Sequence, residues 1–308
     1  MSYKDSYNRH NEWYNKHFPS QESKIDIYKK SKLLGKQNLA NWLQNIFFCT
    51  LDPLLQQKNK NWLTLGDAYG FDAQYILHSD NQALATDLNT DFLNIALKEG
   101  IISACKAENA ENLSFDDDSF DYVLCKESYH HFPRPYTAVY EMIRVARSAV
   151  VIIEPQDPVI KMPLLLFFNN VFAAFPNLIS KVWKNRFSYE PVGNFVYKVS
   201  EREFEKITAG LGLKVVAFKK INPNFWFKGA EYVTKTNKKY VFRFIQIKKK
   251  LLDFLVKIKI IPAQTLVSII FKTPPDSATI NLLKQDGYKL VTIPKNPYLD
   301  SLSNPPPR

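Results

Sequence analysis

The sequence has little cysteine and none of the features of an exported chain. Only three of its 308 residues are cysteine, Cys49, Cys105 and Cys125, and their spacing fits neither a disulfide framework nor a zinc knuckle. Residues 1–18 are polar and aromatic, and they lack the apolar core of a secretory signal. These absences predict a soluble, cytoplasmic protein in a reducing compartment.

Long uninterrupted apolar runs are also missing. The longest apolar stretch, residues 162–179, is interrupted by three asparagines and a proline, which argues against a membrane span. The chain is nevertheless 45% hydrophobic, enough for a substantial core in one large domain or in one domain with an appended cap. Its formal net charge of +11 favours anionic partners, and nucleic acid, anionic lipid and phosphorylated small molecules all meet that condition.

Hydrophobic spacing divides the chain into three parts. Residues 1–58 carry apolar side chains at roughly helical spacing and predict an N-terminal helical cap. Residues 59–272 predict strands that alternate with helices, the pattern of a parallel sheet covered on both faces. Residues 273–308 predict a C-terminal extension that ends in a disordered, proline-rich tail.

The central part contains the predicted sheet. Its strands are predicted at 61–65, 82–86, 102–105, 120–125, 148–153, 213–220 and 264–271. Its helices are predicted at 72–78, 90–98, 135–146 and 201–211. Two connections, 156–198 and 221–262, exceed ordinary loop lengths, and we interpret them as helical insertions that shape a ligand site.

The first two predicted strands end in residues that suit ligand binding. Gly66 and Gly70 follow the first strand and would let the backbone approach a ligand closely at the carboxyl edge of the sheet. Asp87 ends the second strand, where a carboxylate can accept hydrogen bonds from both hydroxyls of a ribose. The ordinary alternatives are plain turn residues for the glycines and a helix N-cap for Asp87 or Asn89.

The most specific pattern lies further along the chain. Residues 108–124 read ENAENLSFDDDSFDYVL, residues 129–135 read YHHFPRP, and residues 141–145 read EMIRV. Together with the first two strands, this pattern over residues 62–155 resembles the class I S-adenosylmethionine-dependent methyltransferases, in particular the methyltransferase type 11 group. The resemblance implies a Rossmann-like α/β fold with a seven-stranded, mostly parallel sheet, S-adenosylmethionine as cofactor, and methyl transfer to an acceptor.

The resemblance also implies a set of cofactor-binding residues. The turn from Gly66 to Gly70 would face the methionine part of the cofactor, Asp87 would hold the ribose, and Asn109 would lie at the adenine edge. The full predicted set is Leu65, Gly66, Asp67, Ala68, Gly70, Asp87, Leu88, Asn109, Ala110 and Lys126.

Some positions depart from the family pattern. Asn109 stands where the family usually has an aspartate, and its amide carbonyl can still accept the adenine amino proton. Thr64 stands at a position that is often acidic, and Gly66-Asp67-Ala68 replaces the usual Gly-Cys-Gly type of turn. We therefore expect Asp67 to contact the amino group of the cofactor, with loss of cofactor binding as the competing outcome.

In the methyltransferases that this sequence resembles, the segment after the fourth strand reaches the reactive end of the cofactor. His130, His131 and Glu127 are therefore candidate general bases for a hydroxyl acceptor, since a histidine titrates near neutral pH. A packed, hydrogen-bonded histidine is the alternative. No third ligand lies at a suitable spacing from the paired histidines, so no metal site is predicted.

The two insertions bear on the acceptor and on partners. Residues 161–186 combine basic with aromatic and aliphatic residues, and they predict a lid, a helix on a membrane surface or a helix in the core. Residues 231–262 hold many basic side chains against Glu231 and Asp253, which predicts either a surface for phosphates and anionic lipid or a solvated basic face. We favour a small-molecule or glycan acceptor, with an anionic sugar or a lipid-linked saccharide as examples, together with peripheral membrane contact.

Three other functions stay open at this stage. A nucleic-acid methyltransferase fits the basic charge, although no nucleic-acid-binding module is recognisable. A non-catalytic protein that binds S-adenosylmethionine fits the altered turn after the first strand. A nicotinamide-dependent oxidoreductase would also use Asp87, but the G-x-G-x-x-G sequence is missing after the first strand.

Overall fold

One eight-stranded sheet organises the chain. The computed structural model describes residues 3–33, 38–157, 163–172, 174–175, 177 and 187–298. The strands are β1 (Asn61–Leu65), β2 (Gln82–Asp87), β3 (Cys105–Ala107), β4 (Phe120–Lys126), β5 (Ala146–Pro155), β6 (Val215–Ile221), β7 (Thr265–Phe271) and β8 (Lys289–Thr292). Their order in the sheet is β3-β2-β1-β4-β5-β7-β6-β8.

Helices precede the sheet and connect its strands. They are α1 (Tyr3–His17), α2 (Gln21–Leu33), α3 (Leu39–Phe48), α4 (Asp52–Leu55), α5 (Phe71–Leu77), α6 (Asp91–Lys98), α7 (Pro135–Val145), α8 (Pro163–Phe172), α9 (Glu201–Gly210), α10 (Lys239–Lys257) and α11 (Ser277–Gln285). Among the residues that the structure describes, no helix is both long enough and apolar enough to cross a membrane.

The pairing of the strands confirms the predicted Rossmann-like, mostly parallel sheet. β1 pairs in parallel with β2 and β4, and the parallel pairing continues from β2 to β3 and from β4 to β5. β7 lies antiparallel between β5 and β6, and β8 is antiparallel to β6. The predicted count of seven strands was one too low, because β8 is a short, partly exposed edge strand within 273–308.

One strand is displaced from its predicted position. The apolar pair Ile101 and Ile102 suggested a strand at 102–105, whereas β3 begins at Cys105. Both isoleucines are buried in the core, but they pack there as part of a loop, and Ile102 lies close to Gly70. Ile101 and Ile102 are therefore buried without belonging to a strand.

The sheet is covered on both faces, as predicted. Successive residues of β4 enter two different core clusters: Tyr122 and Leu124 pack in one, Val123 and Cys125 in the other. The first cluster includes buried residues of α5 and α6, and the second includes buried residues of α7 and α9. Because side chains alternate along a strand, helices on both faces explain why the middle of β4, residues 122–125, is apolar and buried.

The helices α1 to α4 occupy the part of the chain that was predicted as a helical cap. Tyr28 of α2 is buried, and its hydroxyl donates hydrogen bonds to the carbonyl oxygens of Phe92 (2.8 Å) and Tyr69 (3.1 Å). These bonds attach α2 to the part of the chain that carries the sheet. The division at residues 58 and 272 stays a prediction.

Some predicted features lie outside the described residues. They are Leu34 of the predicted cap, the basic residues Lys161, Lys181, Lys184 and Arg186, and the tail 301–308. In the described part of the first insertion, Phe167, Phe168 and Val171 of α8 are exposed, so these three side chains do not pack in the core.

The turn between β1 and α5 approaches the turn after β4 closely. Gly66 has a φ of +66°, and a Cβ atom added to it would lie 2.4 Å from the Cβ of Ser128. The Ser128 hydroxyl donates a hydrogen bond to the carbonyl of Leu65 (2.9 Å), which holds the two turns together. Position 66 therefore requires a glycine for its backbone conformation and for space.

We expect Gly66→Ala to lower the free energy of unfolding by about 2–5 kcal/mol, because left-handed strain adds to a steric clash. Gly100→Ala is the matched control. Its φ is +65° and no atom of the described part of the chain lies within 4 Å of the added Cβ, so only the strain of about 1–2 kcal/mol is expected. Urea unfolding followed by circular dichroism measures both losses, and equal losses would show that the contact with Ser128 is unimportant.

Candidate active site

A large cavity opens where β1, β2 and β4 end. Its volume is about 1160 Å³, and the turn after β1, the end of β2 and the residues after β3 and β4 line it. Ligand pockets usually measure about 300–1,000 Å³, so this cavity has room for more than one small ligand. Its position is the carboxyl edge of a parallel sheet, where open α/β folds bind their ligands.

Most of the residues predicted to bind a cofactor line this cavity. All of the predicted set except Gly70 do so, and Glu127 and His131 line it too. Gly70 is instead the N-cap residue of α5, with a φ of +74°. Among the candidate bases, His130 is not part of the lining.

The Asp67 carboxylate faces the start of α5. It accepts hydrogen bonds from the backbone N–H of Ala73 (2.9 Å) and Asp72 (3.3 Å), and from the hydroxyl of Thr64 (3.0 Å). Burial, followed by the nearby carboxylate of Asp72, raises the pKa of Asp67 to about 8. A contact between Asp67 and a ligand amino group would have to compete with these three donors.

Asp87 stands at the end of β2 on the cavity wall. One of its carboxylate oxygens accepts the N–H of Asn89 (2.9 Å), and burial raises its pKa to about 6. The N-cap position of the following helix α6 is Thr90, which makes no side-chain cap hydrogen bond. The side-chain oxygen of Asn89 instead accepts the N–H of Asp91 (2.9 Å), so the capping contact belongs to Asn89 and not to Asp87. The second carboxylate oxygen of Asp87 is the group that a ribose could meet.

Asn109 is covered by the first helix of the chain. Its side-chain oxygen accepts the N–H of Glu111 (3.0 Å) and the hydroxyl of Tyr7 in α1 (3.3 Å). The oxygen that was predicted to accept an adenine amino proton therefore already has two donors. An adenine at this edge would replace the Tyr7 hydroxyl or share the oxygen with it.

Lys126, at the end of β4, forms a buried ion pair. Its ammonium lies 3.1 Å from the Asp72 carboxylate, and it lies 5.5 and 5.4 Å from the ring centroids of Phe47 and Phe48. Burial lowers the pKa of Lys126, but the carboxylates of Asp72 and Glu127 outweigh it and raise the pKa overall. The pair links the start of α5 to the tip of β4 and places a positive charge on the cavity wall.

Glu127 is the cavity residue with the most unusual conformation. Its φ is +53°, a strained value for a non-glycine residue, and its Oε1 atom is buried without a hydrogen-bond partner among the residues that the structure describes. Burial, followed by the charge of Glu154, raises its pKa to about 7. A carboxyl group with this pKa can both accept and release a proton near neutral pH.

His130 is held between two carboxylates. Its Nδ1 lies 2.5 Å from Oε2 of the fully buried Glu154, and its Nε2 lies 3.4 Å from Oε1 of Glu190. Burial lowers the pKa of His130, but the charges and hydrogen bonds of Glu154 and Glu190 raise it to about 10. This histidine is therefore charged at neutral pH and has no free nitrogen to accept a proton.

Of the two adjacent histidines, His131 is the one that lines the cavity. Burial, then the charge of His130 and the ring of His10, lower the pKa of His131 to about 3, so its ring is neutral at pH 7. Its Nδ1 lies 3.2 Å from Glu190, and atoms of His130, His131 and Glu190 all lie within 4.8 Å of one another. Two histidines and a carboxylate can hold a metal ion, and the structure supplies a third group that the sequence spacing did not reveal.

The sequence reasoning missed several residues of the cavity. Tyr7, His10, Asn11 and Tyr14 of α1, and Asn41, Gln44, Asn45 and Phe48 of α3, line it. The only signal in the sequence was the combination of polar and aromatic residues at helical spacing in this N-terminal region. Glu154 directly follows the predicted strand at 148–153 and Glu190 lies in the predicted insertion 156–198, and neither position indicates the contact that both make with His130.

Comparison with known protein families finds a match over part of the chain. Residues 63–153 match the family model of the methyltransferase domain. A comparison with curated protein sequences finds no match.

Solved structures with a similar arrangement include three bacterial and archaeal proteins. The YcgJ protein of Bacillus subtilis is 16% identical, with 74% of this chain and 99% of that chain covered and a TM-score of 0.45. A SAM-dependent methyltransferase of Methanosarcina mazei is 14% identical, with coverages of 71% and 95% and a TM-score of 0.43. The 1,6-didemethyltoxoflavin-N1-methyltransferase of Burkholderia thailandensis is 13% identical, with coverages of 81% and 85% and a TM-score of 0.46.

The family match begins in β1 and ends in β5, so it spans the strands whose ends form the cavity. It also contains the stretch over residues 108–145 that carries the sequence resemblance. Over residues 63–153 this chain is therefore similar to a methyltransferase domain.

Proposed function

We propose that the chain transfers a methyl group from S-adenosylmethionine to a hydroxyl group of a small-molecule or glycan acceptor, with Glu127 as the general base. The observation that carries this proposal is the unpartnered carboxyl oxygen of Glu127 on the wall of a cavity of about 1160 Å³. Glu127 follows β4, in the segment that reaches the reactive end of the cofactor in the resembled fold.

The residues of the cavity fit the cofactor. The backbone of the turn at Gly66 lines the cavity at the edge of the sheet, where a ligand can approach it closely. Asp87 offers a carboxylate oxygen for the ribose hydroxyls, and Leu88 and Ala110 provide apolar surface beside it. S-adenosylmethionine supplies a methyl group already activated by a positive sulfonium, so the protein mainly provides alignment, exclusion of water and proton removal.

Glu127 suits proton removal better than either histidine. The ring of His130 is charged and bonded at both nitrogens, so it cannot accept a proton. The low pKa of His131 makes it a weak base, whereas the pKa of about 7 for Glu127 lies at the optimum for a base near neutral pH. We assign to His130 the role of positioning the segment that carries Glu127.

The size and polarity of the cavity favour a small acceptor. Asn41, Gln44 and Asn45 of α3, all of which carry amide groups, line the cavity together with residues of α1. Amides both donate and accept hydrogen bonds, as recognition of a polyhydroxylated ligand requires. We do not propose a nucleic-acid acceptor, but the labelling experiment would detect one.

The decisive experiment follows a labelled methyl group. The protein is incubated with methyl-tritiated S-adenosylmethionine and a cell extract separated into small-molecule, glycan and nucleic-acid fractions. We expect label in a small-molecule or glycan fraction, retained after mild alkali because a methyl ether resists the hydrolysis that removes a methyl ester. Label in nucleic acid, or label released by alkali, would contradict the proposed acceptor group.

We expect Asp87→Asn to weaken S-adenosylmethionine binding by about 10- to 100-fold, because a hydrogen bond to a charged acceptor contributes about 1.5–3 kcal/mol. Isothermal titration calorimetry measures the change. Asp91→Asn is the matched control, since Asp91 is an exposed aspartate four residues away that does not line the cavity. Equal affinities of the two variants for S-adenosylmethionine would show that Asp87 does not contribute to its binding.

We expect Glu127→Gln to lower kcat by about 10²- to 10⁴-fold with little change in S-adenosylmethionine affinity, because the variant loses the proton acceptor and keeps its shape. The wild-type rate should rise with pH through about 7, since only the deprotonated carboxylate accepts a proton and its pKa is raised from 4.5 to about 7. Initial rates between pH 5 and 9 on the acceptor found above measure both effects.

Two further variants test whether the pH dependence of the rate belongs to Glu127 or to another carboxyl or imidazole group. Glu99→Gln changes an exposed glutamate outside the cavity and should leave the rate unchanged. His131→Asn removes the competing base. If His131→Asn abolished the rise with pH while Glu127→Gln retained it, the assignment of the base to Glu127 would be wrong.

A further inference from the structure

Helix α10 presents a continuous apolar stripe on the protein surface. Its members recur alternately four and three residues apart, and each is between 45% and 89% exposed: Tyr240, Phe244, Ile247, Leu251, Phe254 and, at the C-cap, Ile258. This repeat keeps the side chains on one line along a helix. A helix of 19 residues is about 28 Å long, so the stripe is an extended surface and not a single exposed side chain.

The other side of α10 is already used by the fold. Phe242 and Ile245 are buried in a cluster with Leu39 and Leu43 of α3. The ring of Phe242 lies 5.7 Å from that of Trp42. Because these contacts anchor the helix, the exposed stripe is not needed for folding, and an exposed apolar surface of this extent marks an interaction site.

Basic side chains border the stripe. Arg243, Lys250 and Lys257 each precede a stripe residue, Lys248 follows one, and all four are exposed. The only acidic residue of α10 is Asp253, whose carboxylate accepts hydrogen bonds from Lys249 (2.6 Å) and Asn222 (2.8 Å). The border of the stripe is therefore positive on both sides.

This distribution of charge selects an anionic partner. Pairing of two copies through the stripe would bring Arg243, Lys250 and Lys257 against like charges, which disfavours such a dimer. A lipid surface instead accepts the aromatic and aliphatic side chains at the level of the headgroups, while lysine and arginine stems extend toward the phosphates.

We propose that α10 docks this protein on an anionic lipid membrane, with the stripe from Tyr240 to Ile258 in the interface and the bordering basic residues on the lipid headgroups. The helix lies along the membrane and does not cross it, because its inner face stays packed on α3. This docking goes beyond methyl transfer and does not depend on it.

Vesicle binding of the full chain tests the proposal. The probes are vesicles of phosphatidylcholine alone and vesicles that contain about one third phosphatidylserine. We expect flotation with the anionic vesicles only, reduced by added salt. Arg243→Gln/Lys250→Gln should weaken binding by about 30-fold, because each charge near the surface contributes about a fivefold effect. Ile247→Gln/Leu251→Gln should weaken binding by about tenfold or more.

Matched controls carry the same substitutions elsewhere on the surface. Lys98→Gln/Lys284→Gln removes two exposed charges, and Leu97→Gln/Leu211→Gln removes two exposed leucines, so both should bind like the wild type. Circular dichroism establishes that every variant folds. Glu127→Gln should bind vesicles normally, which separates a failure of docking from a failure of the proposed chemistry.

Three outcomes would overturn the proposal. The first is a wild-type protein that floats with neither type of vesicle. The second is equal binding by the stripe variants and their controls. The third is a protein that does not bind vesicles but forms a concentration-dependent dimer in analytical ultracentrifugation, and whose dimer is dissociated by Ile247→Gln/Leu251→Gln. That result would assign the stripe to a second copy of this chain.

Discussion

A buried carboxylate at the end of β5 holds the segment on which the site depends. Glu154 is fully buried, and it accepts the backbone N–H of Ser128 (2.8 Å) and Tyr129 (2.7 Å) and contacts the ring of His130 (2.5 Å). A buried charge is stable only when it is paired and hydrogen-bonded, and here all its partners lie in one turn after β4. The conformation of that turn follows from the need to satisfy Glu154.

The strain and the chemistry of Glu127 follow from the same turn. Ser128 is fixed to Glu154 by its N–H and to Leu65 by its hydroxyl, so the chain must turn sharply at the preceding residue. Glu127 takes a left-handed conformation there, and its carboxyl group is buried beside a second carboxylate without a complete set of donors. Backbone strain held by surrounding contacts is typical of functional sites, because a relaxed alternative would not present the group in this way.

Local patterns predicted the sheet, whereas long-range contacts determined the details of the cavity. Alternating strands and helices indicated the parallel sheet, and residues at strand ends were expected to meet because the carboxyl ends of parallel strands share one edge. The hydroxyl of Tyr7 donates a hydrogen bond to Asn109, which is 102 positions away in the sequence, and no spacing rule predicts such a contact. Glu190 likewise reaches His130 from a distant insertion. The partners of Asp67 could be anticipated only in part, since a carboxylate before a helix suits the helix N-terminus as well as a ligand.

Helix α3 connects the two surfaces to which we assign functions. Asn41, Gln44 and Asn45 face the cavity, while Leu39 and Leu43 pack against α10. These two sets recur at helical spacing on different sides of one short helix, so neither can shift without moving the other. A protein that rests on a membrane through α10 would therefore hold α3, and with it one wall of the cavity, at a fixed distance from the lipid. That arrangement suits an acceptor that carries both a polar group and a lipid anchor, since the polar group could enter the cavity while the anchor stays in the membrane.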